Sequence, residues 1–305
     1  MPKNPDIISS APCIINPRAA GHKWQRNFFL RRYLQRKLKG APAKPPTSKH
    51  ETIRQARELS RTNDFLVVIG GDGTISDVIQ GMYEAGSSHR TRLGIIPMGS
   101  GNAFRRSLGI PKGAKQALRL LSEGRVKPID LIRVNGRIAS FVNIGGTAEG
   151  GYYAHKNFAP GALGHFLAIL PNLFHPRQKV EVELFDGQDG HGAPFERKRL
   201  LLHMLDCIAT KTQYFGYNWR IAPHAVLDDG FLDITFYEMP APAYVTLAAF
   251  IYLGLLQRRL RHYKAKRMII RGRHLAVQYN GEDLPYQDTI ELEVIPRAIQ
   301  VVVPA

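Results

Sequence analysis

The chain has 305 residues, of which 44% are hydrophobic and 22% charged, a balance that suits a soluble globular protein and excludes a disordered or collagenous one. The formal charge of +17 at pH 7 points to an anionic partner, whether nucleic acid, an anionic membrane or a polyphosphate ligand. Two cysteines, Cys13 and Cys207, exclude a disulfide framework and a four-cysteine zinc site, and suit a reducing cytoplasm.

The opening segment, MPKNPDIISSAPCIINP, has no apolar core of signal-peptide length. CIIN at 13–16 reads as a short buried strand that turns at Pro17. A basic helical stretch follows from Trp24 to Leu38, then a proline-rich loop at 40–48. Lys49 to Ser60 reads as a helix with Ser48 as its N-cap. Phe65 to Ile69, FLVVI, is apolar without alternation, as expected of a parallel strand covered on both faces. A helix over Ile75–Glu84, a strand over Leu93–Ile96 and helices over Ala103–Leu108 and Ala114–Glu123 continue a βαβα rhythm.

From Ile129 the rhythm changes. DLIRV, IASFVNIG, KVEVELFD, RLLLHMLDC, DITFYE, HLAVQYN, TIELEVI and AIQVVVP read as strands, with turns at Asn135-Gly136 and Asp186-Gly187. This half predicts an antiparallel sheet or sandwich, interrupted by an apolar helix near 243–260. The expected domains are 1–134, an α/β nucleotide-binding domain, and 135–305, a β-sandwich whose last strand is a candidate to return to the first domain. The longest apolar stretch, Tyr244 to Leu256, is too short to span a bilayer, which takes roughly 20 residues.

The most informative segment is VVIGGDGTISDVIQG, a buried strand that runs through Gly70, Gly71, Asp72, Gly73 and Thr74 into a helix. Glycines allow close backbone approach, and the N–H groups at the helix start make an anion site suited to phosphate. Asp72 would repel phosphate unless a cation such as Mg²⁺ lay between them; it is equally readable as a turn cap. Thr74 reads as a helix cap or a phosphate contact. A second strand–loop–helix unit, LGIIPMGSGNAFRRSLGI, places Gly99, Ser100, Gly101 and Asn102 past a second strand end. Two such loops at the carboxyl edge of a parallel sheet form one ligand crevice. Asn102 is readable as an N-cap alone. The P-loop and protein-kinase motifs are absent, and the dinucleotide fingerprint fails at Phe104.

GGDGT, with PMGSGNAFRRSLGIP about 25 residues later, resembles the catalytic region of the diacylglycerol kinase family, which includes soluble bacterial lipid kinases and the sphingosine kinases. The likeness extends over most of the chain, through IINPRAAG, TSKHETIRQARELS, PID at 128–130, APHAVLDDGFLDITF and QYNGEDL in family order. It implies a phosphofructokinase-like nucleotide domain followed by a β-sandwich, and transfer of the γ-phosphoryl group of ATP, with Mg²⁺, to a lipid hydroxyl. It makes Glu282 the general base, with Asp72 beside it in the catalytic set. It makes Gly70 to Thr74, Gly99, Ser100 and Asn102 nucleotide contacts, with Asn16 and Thr47 on the rim. By the same likeness a structural Mg²⁺ is held by the carboxylate of Asp229 and the carbonyls of Val226 and Phe231, with Asp130 in the surrounding network. Two positions depart from the family: Asn280 stands where D-G-E is common, and Ala103 where N-D-F is common. Each removes a carboxylate, for which neighbouring Asp283 and Asp77 are candidates to restore some charge, and the second leaves the substrate class open.

Arg258 to Arg273, RRLRHYKAKRMIIRGR, carries eight Lys+Arg and no acid directly after the apolar 244–256 segment. Arg258, Arg259, Arg261, Lys264, Lys266 and Arg267 are thereby expected to dock on anionic headgroups at the inner membrane face. The alternative is a solvated face beside a core helix. A second basic cluster lies between Arg26 and Lys39. Other readings of the chain are an NAD kinase, which also carries GGDGT, a non-catalytic nucleotide- or lipid-binding protein, and a nucleic-acid-binding protein, for which no motif appears.

Overall fold

The computed structural model describes residues 10–17, 25–39, 45–99, 101–157, 176–215 and 219–305. Two compact units emerge. The first extends to Asp130 and resumes at Arg297–Ala305; the second contains Leu131–Phe215 and Trp219–Pro296.

The first unit alternates strand and helix. β1 (Cys13–Ile15) leads to α1 (Phe28–Lys37) and α2 (Lys49–Thr62). The Ser48 hydroxyl caps α2 by accepting from Glu51 N at 3.2 Å, while the Glu51 carboxylate reaches back to Thr47. This reciprocal arrangement satisfies donors that the first helical turn leaves orphaned. β2 (Phe65–Gly70), α3 (Asp72–Glu84), β3 (Arg92–Pro97), α4 (Ala103–Ser107) and α5 (Ala114–Glu123) follow. The strands are parallel, Cys13 opposite Val67 and Phe65 opposite Arg92. Every residue of β2 is buried, which is why its sequence shows no alternation. Helix α3 starts at Asp72, three residues ahead of the expected Ile75, so Asp72 and Gly73 belong to its first turn. The last strand of the chain lies beside β3 in parallel, with Gln300 opposite Arg92. Where the chain leaves this unit and re-enters it, Asp130 Oδ1 accepts from Arg297 N at 2.8 Å.

The second unit is antiparallel. β4 (Arg125–Val134) brings the chain into it and pairs with β5 (Arg137–Ala139) through a turn in which Asn135 and Gly136 both have positive φ. Then come β6 (Phe141–Gly145), α6 (Gly146–Asn157), β7 (Gln178–Asp189), β8 (Pro194–Met204), β9 (Asp206–Thr210), β10 (Leu232–Tyr237), α7 (Ala241–Tyr252), β11 (Arg261–Tyr279) and β12 (Glu282–Val303). β11 is the hub, pairing with β6, β7, β10 and β12. Inward side chains from these strands, among them Val182, Leu184, Ile234, Met268, Ile270 and Ile290, form a continuous core. Each such buried side chain contributes about 1.5–3 kcal/mol.

Three expectations are corrected here. Asp186-Gly187 is not a turn: it lies inside β7, and the chain reverses at Asp189, whose Oδ1 accepts from His191 N and Ala193 N at 3.0 Å. The basic run after Arg258 is mostly strand, because β11 starts at Arg261 and buries Tyr263, Ala265, Met268 and Ile270. TIELEVI and AIQVVVP are parts of one strand, β12. Among the described residues, no helix is long and apolar enough to cross a membrane.

Candidate functional site

In the first unit β2 and β3 end side by side, Ile69 opposite Ile96 and Gly70 opposite Pro97. Both glycine loops start there, and they touch through backbone. A Cβ on Gly71 would lie 2.9 Å from the Gly99 Cα, and one on Gly99 would lie 2.5 Å from the Gly71 Cα. Only glycine permits that approach at both positions. A Cβ on Gly73, in the first turn of α3, would meet nothing within 4 Å. The N-cap Gly71 supplies no side-chain hydrogen bond to the first N–H groups of α3, where the helix dipole is positive, and Gly73 in that turn is exposed. That is the donor set a phosphate group fits.

Thr74 does not cap α3. It is buried, and its Oγ1 accepts from Asn16 Nδ2 at 2.9 Å, so the end of β1 is tied to the first turn of α3. Asn102 is left-handed at φ 53 and clasps its own loop, accepting from Gly99 N at 3.1 Å and donating to Gly99 O at 2.6 Å. The cap of α4 comes from elsewhere: Asp72 accepts from Ala103 N at 3.0 Å and from Phe104 N at 3.1 Å. Burial raises the Asp72 carboxyl above its usual range against these N–H bonds. The structure thus brings Asn16, Gly70, Gly71, Asp72, Thr74, Gly99 and Asn102 together. Thr47 donates from N and Oγ1 to the Glu51 carboxylate, both at 2.8 Å. Ser100 lies outside the described residues. Asp77 is 3.9 Å from Lys49.

In the second unit, Asn280 and Gly281 form the two-residue turn between β11 and β12, with φ 48 and 83. Tyr279 faces Glu282 across that turn. Mirror-image hairpin turns demand positive φ at both positions, which favours Asn-Gly. The Asn280 amide also stitches the turn to the break between β5 and β6. Its Oδ1 accepts from Ser140 N at 2.9 Å and its Nδ2 donates to Ile138 O at 3.3 Å. An ionised aspartate keeps the acceptor for Ser140 N but has no N–H to donate to Ile138 O. Glu282, half-buried, starts β12, and Asp283 accepts from Gln278 Nε2 at 2.9 Å. The Tyr152 hydroxyl of α6 lies between the carbonyls of Val277 and Leu284 and accepts from Val277 N at 3.0 Å, fixing α6 to this hairpin. The sequence offered no sign of Tyr152, which lies over a hundred positions from its partners.

The 226–231 loop departs from the expected metal site. Asp229 Oδ1 is 2.7 Å from Lys211 Nζ, its Oδ2 is 2.5 Å from Lys264 Nζ, and Lys211 Nζ also donates to Phe231 O at 2.5 Å. Burial pushes the Asp229 carboxyl up, but the hydrogen bonds and charges of Lys211 and Lys264 outweigh it and hold it below the usual range. Val226 is 42% exposed, and its N–H points toward Asp233. Among the described residues, no group of three or more His, Cys, Asp or Glu is placed to hold a metal ion. Two of the three oxygens that the family resemblance implied for Mg²⁺, the Asp229 carboxylate and the Phe231 carbonyl, are bonded to Lys211 in this structure. Asp130 accepts from Arg297 N at 2.8 Å within the first unit.

Four of the eight basic residues of the run are ion-paired, among them Arg271 with Glu183 at 2.7 Å. Arg261 pairs with Glu238 at 2.9 Å and Arg267 with Glu291 at 2.6 Å, while Lys264 turns to Asp229 and Asp233. Arg259 and Lys266 are exposed; the side chain of Arg258 lies outside the described set. The apolar segment is divided. Tyr244 and Ile251 are buried in a core with Tyr237 and Ile221, whereas Phe250, Leu253 and Leu255 are 51%, 64% and 66% exposed.

Comparison with known proteins matches residues 10–134 to the diacylglycerol kinase catalytic domain and residues 156–303 to the YegS C-terminal NAD kinase beta sandwich-like domain. Diacylglycerol kinases of Staphylococcus aureus, strains JH9 and Newman, are 28% identical over 220 residues, which is 72% of this chain. The match spans 65% of the length of those relatives. Two solved structures from Bacillus anthracis str. Sterne, one described as a diacylglycerol kinase, share the fold with TM-scores of 0.74 and 0.70. They are 21% and 19% identical, and each match covers 97% of both chains. With its paired glycine loops on a parallel sheet and a following β-sandwich, the chain belongs to the diacylglycerol kinase catalytic-domain family.

Proposed function

We propose that this protein is an ATP-dependent lipid kinase that moves the γ-phosphoryl group of ATP to a hydroxyl of a membrane lipid such as diacylglycerol or a sphingoid base. The observation that carries the reading is the backbone contact between Gly71 and Gly99 beside the uncapped start of α3. Phosphoryl transfer is mainly a matter of positioning and of charge stabilisation. Gly70 to Thr74, Gly99, Ser100 and Asn102 cradle the phosphates; Asn16 and Thr47 lie at the rim. Mg²⁺ arriving with ATP neutralises charge on the β- and γ-phosphates. Asp72 holds the two loops in one shape by capping α4, and its carboxylate is at hand for the metal-bound phosphates. Glu282 takes the proton of the lipid hydroxyl as its oxygen bonds to the γ-phosphorus and the bond to the β-bridging oxygen breaks, releasing ADP.

The lipid is reached from the membrane surface. Phe250, Leu253 and Leu255 enter the acyl boundary, and exposed Arg259 and Lys266 face anionic headgroups. The test is purified protein with Mg²⁺ and γ-labelled ATP, offered diacylglycerol or sphingosine in anionic vesicles, with NAD as a control. Label in a lipid is the expected result. Label in NAD and in neither lipid would replace this reading with an NAD kinase; label in none would leave a nucleotide- or lipid-binding protein.

A further inference from the structure

We propose that the Lys211 ammonium is the resident cation of the 226–231 loop, so that this protein holds the loop with a lysine where a divalent ion would otherwise sit. Lys211 directly follows β9, whose five residues are all buried, and its N–H donates to Ser140 O at 2.8 Å. Its side chain is 0% exposed, and Nζ lies 2.7 Å from Asp229 Oδ1 and 2.5 Å from Phe231 O. One carboxylate and one carbonyl oxygen are therefore already held by a single positive centre. These are two of the three oxygens that the family resemblance implies for Mg²⁺.

Charge and hydration both oppose a second occupant. Two buried or half-buried carboxylates, Asp229 and Asp233, face two ammonium groups, Lys211 and Lys264, with Lys264 Nζ 2.5 Å and 3.6 Å from the respective oxygens. His262 Nε2 lies 3.4 Å from Asp233 Oδ1 on the same cluster. Exposed Asp228 aside, these two carboxylates meet two ammonium groups, so a divalent ion would have to expel Lys211 and then face Lys264 across Asp229. Mg²⁺ also demands six oxygens, whereas the Lys211 Nζ position is met by two, Asp229 Oδ1 and Phe231 O. An ammonium, with three donors and no need of water, fits. The inference is independent of lipid phosphorylation.

The test uses the full-length protein without nucleotide. Amide resonances of Gly230 and Phe231 are followed as Mn²⁺ is added, and melting is followed in EDTA and in millimolar Mg²⁺. The wild type is expected to keep both resonances and to melt at the same temperature in either buffer. Lys211→Ala is expected to melt about 10 °C lower in EDTA, since it removes the donor to Asp229 Oδ1 and Phe231 O and leaves a cavity where a fully buried side chain lay. Mg²⁺ should recover part of that loss, and Mn²⁺ should now broaden both amides. Broadening of Gly230 and Phe231 in the wild type would overturn the proposal, and needs no variant to fold. A folded Lys211→Ala that gains no response to either ion would overturn it too.

Discussion

Asp72 and Ala103, 31 positions apart, are joined by a hydrogen bond of 3.0 Å that makes the first glycine loop the cap of the helix after the second. The carboxylate spans to Phe104 N as well, so neither loop is placed without the other. Asp72→Ala should lower unfolding stability by about 1–2 kcal/mol, the usual effect of losing an N-cap. It should also raise the KM for ATP more than that of the lipid. Urea titration and steady-state kinetics measure both; unchanged stability would show that α4 is capped by another group.

The Asn280 amide uses both its acceptor and its donor, toward Ser140 and Ile138. Asn280→Asp restores the sequence common in relatives but sets a carboxylate oxygen against the Ile138 carbonyl. A loss of about 1–3 kcal/mol is expected, with no gain in phosphoryl transfer. An Asn280→Asp variant that is both more stable and more active would refute this account of the substitution.

Glu282→Gln keeps size and removes the base. Transfer to lipid should fall by about 100-fold or more, the range of general base catalysis, while ATP binding by calorimetry stays within a factor of two or so. Full activity in this variant would remove Glu282 from the mechanism.

Asp206 is fully buried, with Thr147 Oγ1 donating to it at 2.5 Å, and burial pushes its carboxyl from 3.8 up to about 8. A raised acid is neutral in the fold while already ionised in the unfolded chain. Its stabilising effect is complete below about pH 4 and is lost progressively as pH rises toward 8. Asp206→Asn removes this proton linkage. The stability difference between variant and wild type should move in favour of the variant by at least about 1.4 kcal/mol from pH 5 to pH 8. Denaturant titrations at the two pH values check it, and a difference independent of pH would count against a neutral Asp206.

Phe250, Leu253 and Leu255 offer apolar surface that the core leaves uncovered. Replacing all three by serine should weaken pelleting with anionic vesicles at least tenfold, because each buried side chain contributes about 1.5–3 kcal/mol. Soluble nucleotide binding should not change. Added salt should weaken wild-type pelleting only in part, as it screens the charges but not the apolar contact. Complete release by salt would favour a purely electrostatic dock.

Local sequence carried much of the fold. Unbroken apolar β2, the caps at Ser48 and Gly124, and Asn-Gly at 135–136 each report backbone geometry within a few residues. The strand at 261–273 was hidden for a local reason as well. Its buried positions, Tyr263 and Ala265 and then Met268 and Ile270, slip phase near Lys266, opposite Asp186 with its positive φ, so strict alternation fails. Its arginines looked like free charge because their acids, Glu238 and Glu291, stand elsewhere in the chain.

By itself the sequence determined the class of the protein: glycines where backbone must approach backbone, apolar strands between helices, then alternating strands. Those properties follow from φ, volume and hydropathy, which each residue carries with it. Tertiary structure alone decided what the charged groups do. Asp72 became a cap for a distant helix, and Lys211 paired with Asp229 in a loop for which the family resemblance implied a metal. A charge takes its role from whatever lies within about 4 Å, where Coulomb energy and desolvation both act, and the chain fixes that neighbour only by folding.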